Sequence, residues 1–266
     1  MQDKIRLDHL LVLRGLADSR SQAQALILAG QVTVNGQPAT KPGAKAPADV
    51  QVAVKQRLPY VSRGGLKLAA ALDAFGVSVR GAICADVGAS TGGFTDCLLQ
   101  RGAVRVYAID VGYGQLAWKL RQDERVIVKE RTNARYLESL PEPVGIVTLD
   151  VSFISLKLLF PVVVGWLAPD ADVLPLVKPQ FEARREQVGK KGVVRDPAVH
   201  RQVLEKVARD AAAHRLAVRG LIRSPITGPA GNVEFLMHLR QATPTDDFDL
   251  PEAIAGCLSD AGTGDS

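Results

Sequence analysis

Apolar positions along the chain follow two regimes that change near residue 60. In the first, Leu7, Leu10 and Leu11 form one stripe at helical spacing, and Gly15 closes that helix. A second helix is predicted from Ser19. Ser19 and Gln22 have capping-box spacing, Leu26 and Ile27 supply apolar bulk, and Gly30 is placed to stop the helix in a left-handed conformation. Val32 and Val34 then alternate with polar residues, Asn35-Gly36 is a hairpin signal, and Val50, Val52 and Val54 restore the two-residue period. Lys55 to Pro59 reads as the exit from a small unit of two helices and a few strands.

From Val61 onward continuous apolar runs take over, at Ala82 to Val87, Val104 to Val111, Val126 to Val128, Ile146 to Val151 and Val173 to Val177. Helical or loop stretches separate them, as crossovers separate the buried strands of a parallel sheet. Two further strands are expected at Leu216 to Ile222 and Val233 to Leu239, and the short loop between them predicts a closing antiparallel hairpin. The fold class is therefore α/β, a doubly wound and mostly parallel sheet with helices on both faces, plus a small N-terminal α+β unit. The expected boundaries are 1–58 for the small unit, 59–62 for a linker, 63–243 for the α/β domain, and 244–266 for an acidic, partly disordered tail, in which Asp246 to Ser266 reads as a frayed helix or a disordered segment.

Composition changes this picture only at the level of partners. The 47% hydrophobic and 23% charged residues suit a globular chain of 266 residues, and the net charge of +5 favours a polyanionic partner. Cys84, Cys97 and Cys257 have neither CxxC spacing nor neighbouring histidines, which points away from a metal site or a disulfide framework and toward a reducing cytoplasm. Met1-Gln2-Asp3-Lys4 lacks a signal-peptide apolar region, and the run from Leu158 to Ala168 is too short to span a bilayer of about 30 Å, so no membrane association is expected.

The first long strand ends in Asp86-Val87-Gly88-Ala89-Ser90-Thr91-Gly92-Gly93-Phe94, a glycine-rich turn leading into a helix whose N-terminus suits an anionic group. Glycines at 88, 92 and 93 break the G-x-G-x-x-G spacing of dinucleotide-binding sites, and no P-loop lysine follows. The spacing resembles the acidic-x-Gly-x-x-x-Gly loop of S-adenosylmethionine-dependent methyltransferases, which makes S-adenosylmethionine the expected cofactor. The second strand ends in Ile109-Asp110, where a carboxylate can accept from both ribose hydroxyls of a nucleoside. Asn133 is a candidate for the adenine edge or for a turn, and Phe153 for the adenine face or for the core. The candidate cofactor residues are thus Asp86, Gly88, Ser90, Gly92, Gly93, Phe94, Asp110, Asn133 and Phe153.

Asp150 and Lys178 fall at the carboxyl ends of the fourth and fifth runs, the edge where doubly wound sheets bind ligands. Lys67 follows the Arg63-Gly64-Gly65 turn in an apolar helix, and Glu234 interrupts an apolar run between Val233 and Phe235. Each of these four is either a reacting group or half of a structural ion pair. Arg184-Arg185-Glu186-Gln187-Val188-Gly189-Lys190-Lys191-Gly192 reads as a mobile loop beside that edge, either closing over a substrate or merely solvated.

Two resemblances sharpen these expectations. Arg6-Leu7-Asp8, Ser19-Arg20 and Ala29-Gly30-Gln31-Val32-Thr33-Val34-Asn35-Gly36 resemble the small alpha-L RNA-binding fold of a ribosomal protein, pseudouridine synthases and tyrosyl-tRNA synthetases. Arg6, Arg14 and Arg20, with Lys41 and Lys45 and with Arg63 beyond the linker, are then candidates for RNA contact. The segments Val61 to Leu68, Asp150 to Leu156, Lys178 to Glu182 and Gly231 to Phe235, with the glycine turn, are similar to the TlyA family of RNA 2'-O-methyltransferases, related to the FtsJ type. The resemblance runs from about Arg6 to Leu239. It implies a Rossmann-like, seven-stranded methyltransferase domain, a catalytic tetrad of Lys67, Asp150, Lys178 and Glu234, no metal, and ribose methylation of cytidine in ribosomal RNA or a ribosomal subunit, with no obligate protein partner. Some members carry a haemolysin label. The competing expectations are a nicotinamide-dependent oxidoreductase, against which the glycine spacing argues, a membrane-active haemolysin, and a ribosome-assembly factor that binds RNA without chemistry.

Overall fold

Side-chain alternation along each strand decides which helices cover which face of the sheet, and through that where the charged strand ends point. The structure, a computed structural model, describes residues 4–54, 59–241 and 248–259. It divides into two units, 1–58 and 59–266. The exit expected at 55–59 lies outside the described residues except for Pro59, as do 1–3, 242–247 and 260–266.

In the first unit, β1 (Lys4–Arg6) leads into α1 (Leu7–Leu13), followed by α2 (Arg20–Leu28), β2 (Val32–Val34), β3 (Gln37–Pro38), β4 (Lys45–Pro47) and β5 (Val52–Val54). Leu7, Leu11, Ala23, Ile27 and Val32 form its core. Ser19 caps α2 by accepting from the Gln22 N–H, while Gln22 reaches back to the Asp18 N–H, one residue earlier than a strict capping box requires. Asn35 and Gly36 both have positive φ, the geometry of a type I′ turn, and join β2 to β3. β5 completes the three-stranded sheet on the other side of β2. The pairing of β1 with β4, which brings Lys45 opposite Arg6, was not anticipated from the sequence.

The second unit runs α3 (Gly64–Phe75), β6 (Ile83–Val87), α4 (Gly93–Gln100), β7 (Arg105–Ile109), α5 (Trp118–Arg121), β8 (Val126–Lys129), β9 (Val144–Leu149), α6 (Phe160–Val164), β10 (Leu167–Val177), α7 (Pro179–Glu182), α8 (Pro197–Ala212), β11 (Leu216–Arg223), β12 (Phe235–Gln241) and α9 (Leu250–Ser259). The sheet order is β11-β12-β10-β9-β6-β7-β8, with β12 antiparallel to both neighbours and the other strands parallel. The order reverses between β6 and β9, and that reversal opens a crevice at their carboxyl ends.

Strand residues divide between two cores in strict alternation. Cys84, Val106, Ile146, Leu174, Leu176 and Leu236 meet α3 and α4, whereas Ala85, Val87, Val147, Leu149, Val177 and Phe235 meet α6, α8 and α9. The tail was open to two readings, a frayed helix or a disordered segment, and its described part is helical. Residues 250–259 form α9, which packs Ile254 and Cys257 into the second of these cores, so the acidic composition of the region hides one amphipathic helix. The last strand also begins at Phe235 and not at Val233, because Asn232 bonds outside the ladder, as described below.

Candidate active site

The alternation extends one residue past each strand end. Asp150 follows Leu149, Lys178 follows Val177, and Glu234 precedes Phe235, so all three fall on the face covered by α3, the helix that carries Lys67. Because β12 is antiparallel, its first residue stands at the carboxyl edge of the parallel strands. The register Val177↔Phe235 makes Lys178 and Glu234 the next pair across.

The four charges form two ion pairs. Lys67 Nζ donates to Glu234 Oε2 in a site where both side chains are almost wholly buried, Glu234 at 2% exposure. Lys178 Nζ lies 2.7 Å from Asp150 Oδ1 and donates to Ser152 Oγ at 3.0 Å. The Phe181 ring centroid is 5.9 Å from that ammonium. Ser152 was not singled out from the sequence, and only its place two residues beyond Asp150 hinted at it.

Beside Asp150 opens a cleft of about 740 Å³, lined among others by Gly88, Ser90, Asp110, Asn133, Asp150, Ser152 and Phe153. The Asp110 carboxylate accepts the Ser90 N–H at 2.8 Å on one oxygen and the Gly112 N–H at 2.7 Å on the other. Each oxygen keeps a further acceptor position, enough for the two hydroxyls of a ribose. Gly88 has φ +84°, and a Cβ there would stand 2.4 Å from the Asp150 carbonyl oxygen, so the turn tolerates only glycine. Asn133 uses its Oδ1 to cap the following 3₁₀ turn, accepting the Arg135 N–H, and keeps its amide N–H₂ as a donor. It forms the turn considered for it and also lines the cleft. Phe153 has φ +62°, is 91% exposed and packs against Phe181 with ring centroids 4.9 Å apart, so it is not a core residue. The size of this cleft, its free acceptors and its donor suit a nucleoside-bearing cofactor.

Four residues expected at the cofactor do not line the cleft. Asp86 is fully buried and accepts from Thr95 Oγ1 at 2.6 Å and Thr148 Oγ1 at 3.0 Å, and burial pushes its carboxyl up to about 6. By the alternation of β6 it points at α4, one residue out of phase with the cleft. Gly92 is packed under Leu116 and Leu120, Gly93 admits the Ser62 hydroxyl and the Gly65 amide, and Phe94 is buried beside Gly64. These residues seat α4, which in turn shapes the loop above it.

Three residues outside the cleft hold it in shape. Glu182, which ends α7, accepts from Ser155 Oγ at 2.7 Å and the Leu156 N–H at 2.7 Å, and so fixes the loop that begins at Asp150. Lys206 of α8 donates to the same carboxylate at 3.0 Å. Asn232 accepts the Val194 N–H and donates to the Gly192 carbonyl, which pins the far end of the basic loop expected to be mobile. That loop contains two 3₁₀ turns, Arg185–Gln187 and Lys190–Gly192.

Of the expected RNA contacts, Arg6 makes a bidentate pair with buried Asp8, and Arg20 and Gln24 donate to the same carboxylate. The Arg6 guanidinium holds the Asp8 carboxyl far below its ordinary range. Both arginines remain about half exposed, with exposed Lys45 opposite Arg6 and exposed Lys41 in the preceding turn. Arg14 instead binds the Ala48 carbonyl, and Arg63 donates to the Thr227 carbonyl in the loop before Glu234. Among the described residues no helix is long and apolar enough to cross a membrane.

Comparison with known proteins agrees with this geometry. A model of the FtsJ-like methyltransferases matches residues 60–241, and a model of the S4 domain matches residues 5–52. A Bacillus subtilis (strain 168) protein provisionally named rRNA methyltransferase YqxC is 56% identical over 243 residues, 89% of this chain and 85% of its own. The 16S/23S rRNA (cytidine-2'-O)-methyltransferase TlyA of Mycobacterium tuberculosis is 50% identical over 248 residues, 91% of this chain and 92% of its own. A solved structure from Streptococcus thermophilus, provisionally titled a hemolysin, superposes with a TM-score of 0.75 at 45% identity, covering 98% of this chain and 96% of that one. An S4 unit followed by a Rossmann-like FtsJ-type domain, with close similarity to these relatives over most of their length, makes this chain a member of the TlyA family of FtsJ-like methyltransferases, with S-adenosylmethionine as its cofactor.

Proposed function

We propose that the chain methylates the 2'-hydroxyl of a ribose in ribosomal RNA, most specifically cytidine, in the cytoplasm where ribosomal subunits are its partners. The observation that carries this reading is the pairing of Lys178 with Asp150 and Ser152, and of Lys67 with Glu234, at one edge of a nucleoside-sized cleft. The similarity to a cytidine-2'-O-methyltransferase at 50% identity supports the choice of target.

S-adenosylmethionine, when bound, supplies an electrophilic methyl group. Asp110 would accept from its ribose, Asn133 would donate to the adenine edge, and the Gly88 and Ser90 turn would wrap the remaining moiety, with Phe153 exposed at the rim. Lys178 is assigned to the target hydroxyl. Two of its three N–H directions are taken by Asp150 and Ser152, which aims the third at the substrate and supplies the alignment an in-line displacement needs. Nζ would take up the hydroxyl proton, while S-adenosylmethionine held in the cleft would supply the methyl group and leave as the thioether. Lys67, paired with Glu234 beside the same edge, stabilises the developing alkoxide. Arg6, Arg20, Lys41 and Lys45 of the S4 unit, with Arg63, engage phosphates.

Methyl transfer from labelled cofactor to in vitro transcribed 16S and 23S rRNA tests this. Lys178→Ala lowers turnover by about 10²- to 10⁴-fold and leaves cofactor affinity intact. Unchanged turnover removes Lys178 from the mechanism, and absence of transfer by the unmodified protein leaves RNA binding without chemistry.

A further inference from the structure

We propose that a second groove, which begins at Glu182 four residues beyond Lys178, holds backbone phosphates of the RNA whose ribose is being methylated. The inference rests on the RNA-methylating reading above and extends it to a surface outside the S4 unit. The groove has a volume of about 600 Å³ and is walled by Arg184, Gln187, Gln202, Lys206 and Arg209, with Glu182 at its base.

Its charges are arranged for an anion. Glu182 is buried, and its oxygens are already occupied by Ser155, Leu156 and Lys206. Lys206 also bonds Asp210, which neutralises the second acid. Arg184 and Arg209 are exposed, and neither joins an ion pair among the described residues. Two guanidinium forks facing one concavity match phosphate oxygens, which arginine grips in bidentate fashion.

The groove is also preformed. Gln187 accepts the Arg184 N–H at 3.0 Å and donates to Gln202 of α8 at 2.9 Å, so the residue that carries one guanidinium is tied to the helix that carries the other. Asn232 secures the far end of the same loop. Exposed Arg185, Lys190 and Lys191 continue the positive strip along the loop. A flexible charged loop would lose entropy on ordering around RNA, and this one has largely lost it on folding. Because α7 leads straight from Lys178 into the groove, a strand with its ribose at Lys178 passes its neighbouring phosphates over Arg184.

The test compares full-length Arg184→Glu/Arg209→Glu with Arg80→Glu/Arg215→Glu, which makes the same charge change at the opposite, amino edge of the sheet. Binding to in vitro transcribed 16S and 23S rRNA is followed against salt, alongside methyl transfer, cofactor calorimetry and thermal melting. The groove variant is expected to flatten the slope of log K against log salt by about one to two units, at roughly 0.7 to 0.9 per lost phosphate contact. It also raises the KM for RNA about tenfold or more, with cofactor affinity and melting temperature retained. The edge variant behaves as the unmodified protein. Equal slopes and KM values for the two variants overturn the groove while methylation by the unmodified protein upholds the parent reading. If the unmodified protein transfers no methyl group, the parent reading falls on its own count.

Discussion

The Lys67–Glu234 pair separates a structural role from a chemical one more sharply than any other feature of the site. Both side chains are almost wholly out of water, so removing one partner strands the other charge. Lys67→Met and Glu234→Gln are each expected to cost about 3 to 5 kcal/mol, the range for breaking a buried pair from one side. The double variant removes both charges and is expected to recover to within about 1 kcal/mol of the unmodified protein, since an uncharged pair of similar volume spares both desolvation penalties. The cycle should therefore show a coupling energy above about 2 kcal/mol. Trp118 and Trp166 are the chain's two tryptophans, and both lie in the methyltransferase unit, so their fluorescence in a urea titration reports that unit separately from the S4 unit. Turnover must move differently. If the pair belongs to the reacting centre, the double variant regains stability and stays inactive, down by about 10²-fold or more. Additive stability losses refute the buried coupling, and a stable, active double variant refutes the catalytic assignment.

Three further outcomes follow from the cleft. The Asp86 carboxyl, raised to about 6 by burial, binds its proton more tightly folded than unfolded, so its contribution to stability is full below about pH 4 and is lost as pH rises through about 6. Asp86→Asn should flatten that window and stabilise the protein at pH 7.5 by up to about 3 kcal/mol; denaturation at pH 5 and 7.5 with an unchanged difference would falsify this. Gly88→Ala places a methyl against the Asp150 carbonyl in a left-handed backbone, costing about 1 to 2 kcal/mol in conformation alone, and should abolish measurable cofactor binding by calorimetry; retained binding means the turn has another rest position. Asp110→Asn sets an amide N–H₂ against the Ser90 or Gly112 N–H, and should weaken S-adenosylmethionine binding by about 1.5 to 3 kcal/mol, or roughly 10- to 100-fold. A dissociation constant that does not move places the ribose elsewhere.

How much of this was legible in the chain depends on which physical signal each residue leaves. Asp150 and Lys178 are readable because a charge that ends a buried apolar run must sit at the sheet edge, and the crevice lies at that edge. Glu234 was readable as an interruption and, through the resemblance, as a neighbour of Lys67, but which of the four charges pair was not, because that depends on the register Val177↔Phe235 and on the face α3 covers. Asp86 shows the limit of motif reading. It sits in the right turn but one pleat out of phase, and a motif carries no record of which side of the strand an odd or even position faces. Glu182 closes one of the segments that carry the resemblance, but its part was not legible, since Ser155 and Leu156 meet it only once β9 and β10 are paired. In the tail, the acidic composition left helix and disorder both open, and Ile254 and Cys257, three residues apart on one helical face, mark the helix.

The position of β12 bears on how the enzyme is made. β11 touches the sheet only through β12, which the ribosome synthesises later, so a nascent chain emerging as far as residue 223 can assemble five strands and no more. At that stage Lys67, Asp150 and Lys178 are already present and Glu234 is not, which leaves one buried lysine without its counter-charge. Arrival of the hairpin then closes the sheet and neutralises that charge in a single event. Until that hairpin arrives, the cluster of four charges at the sheet edge lacks one of its members.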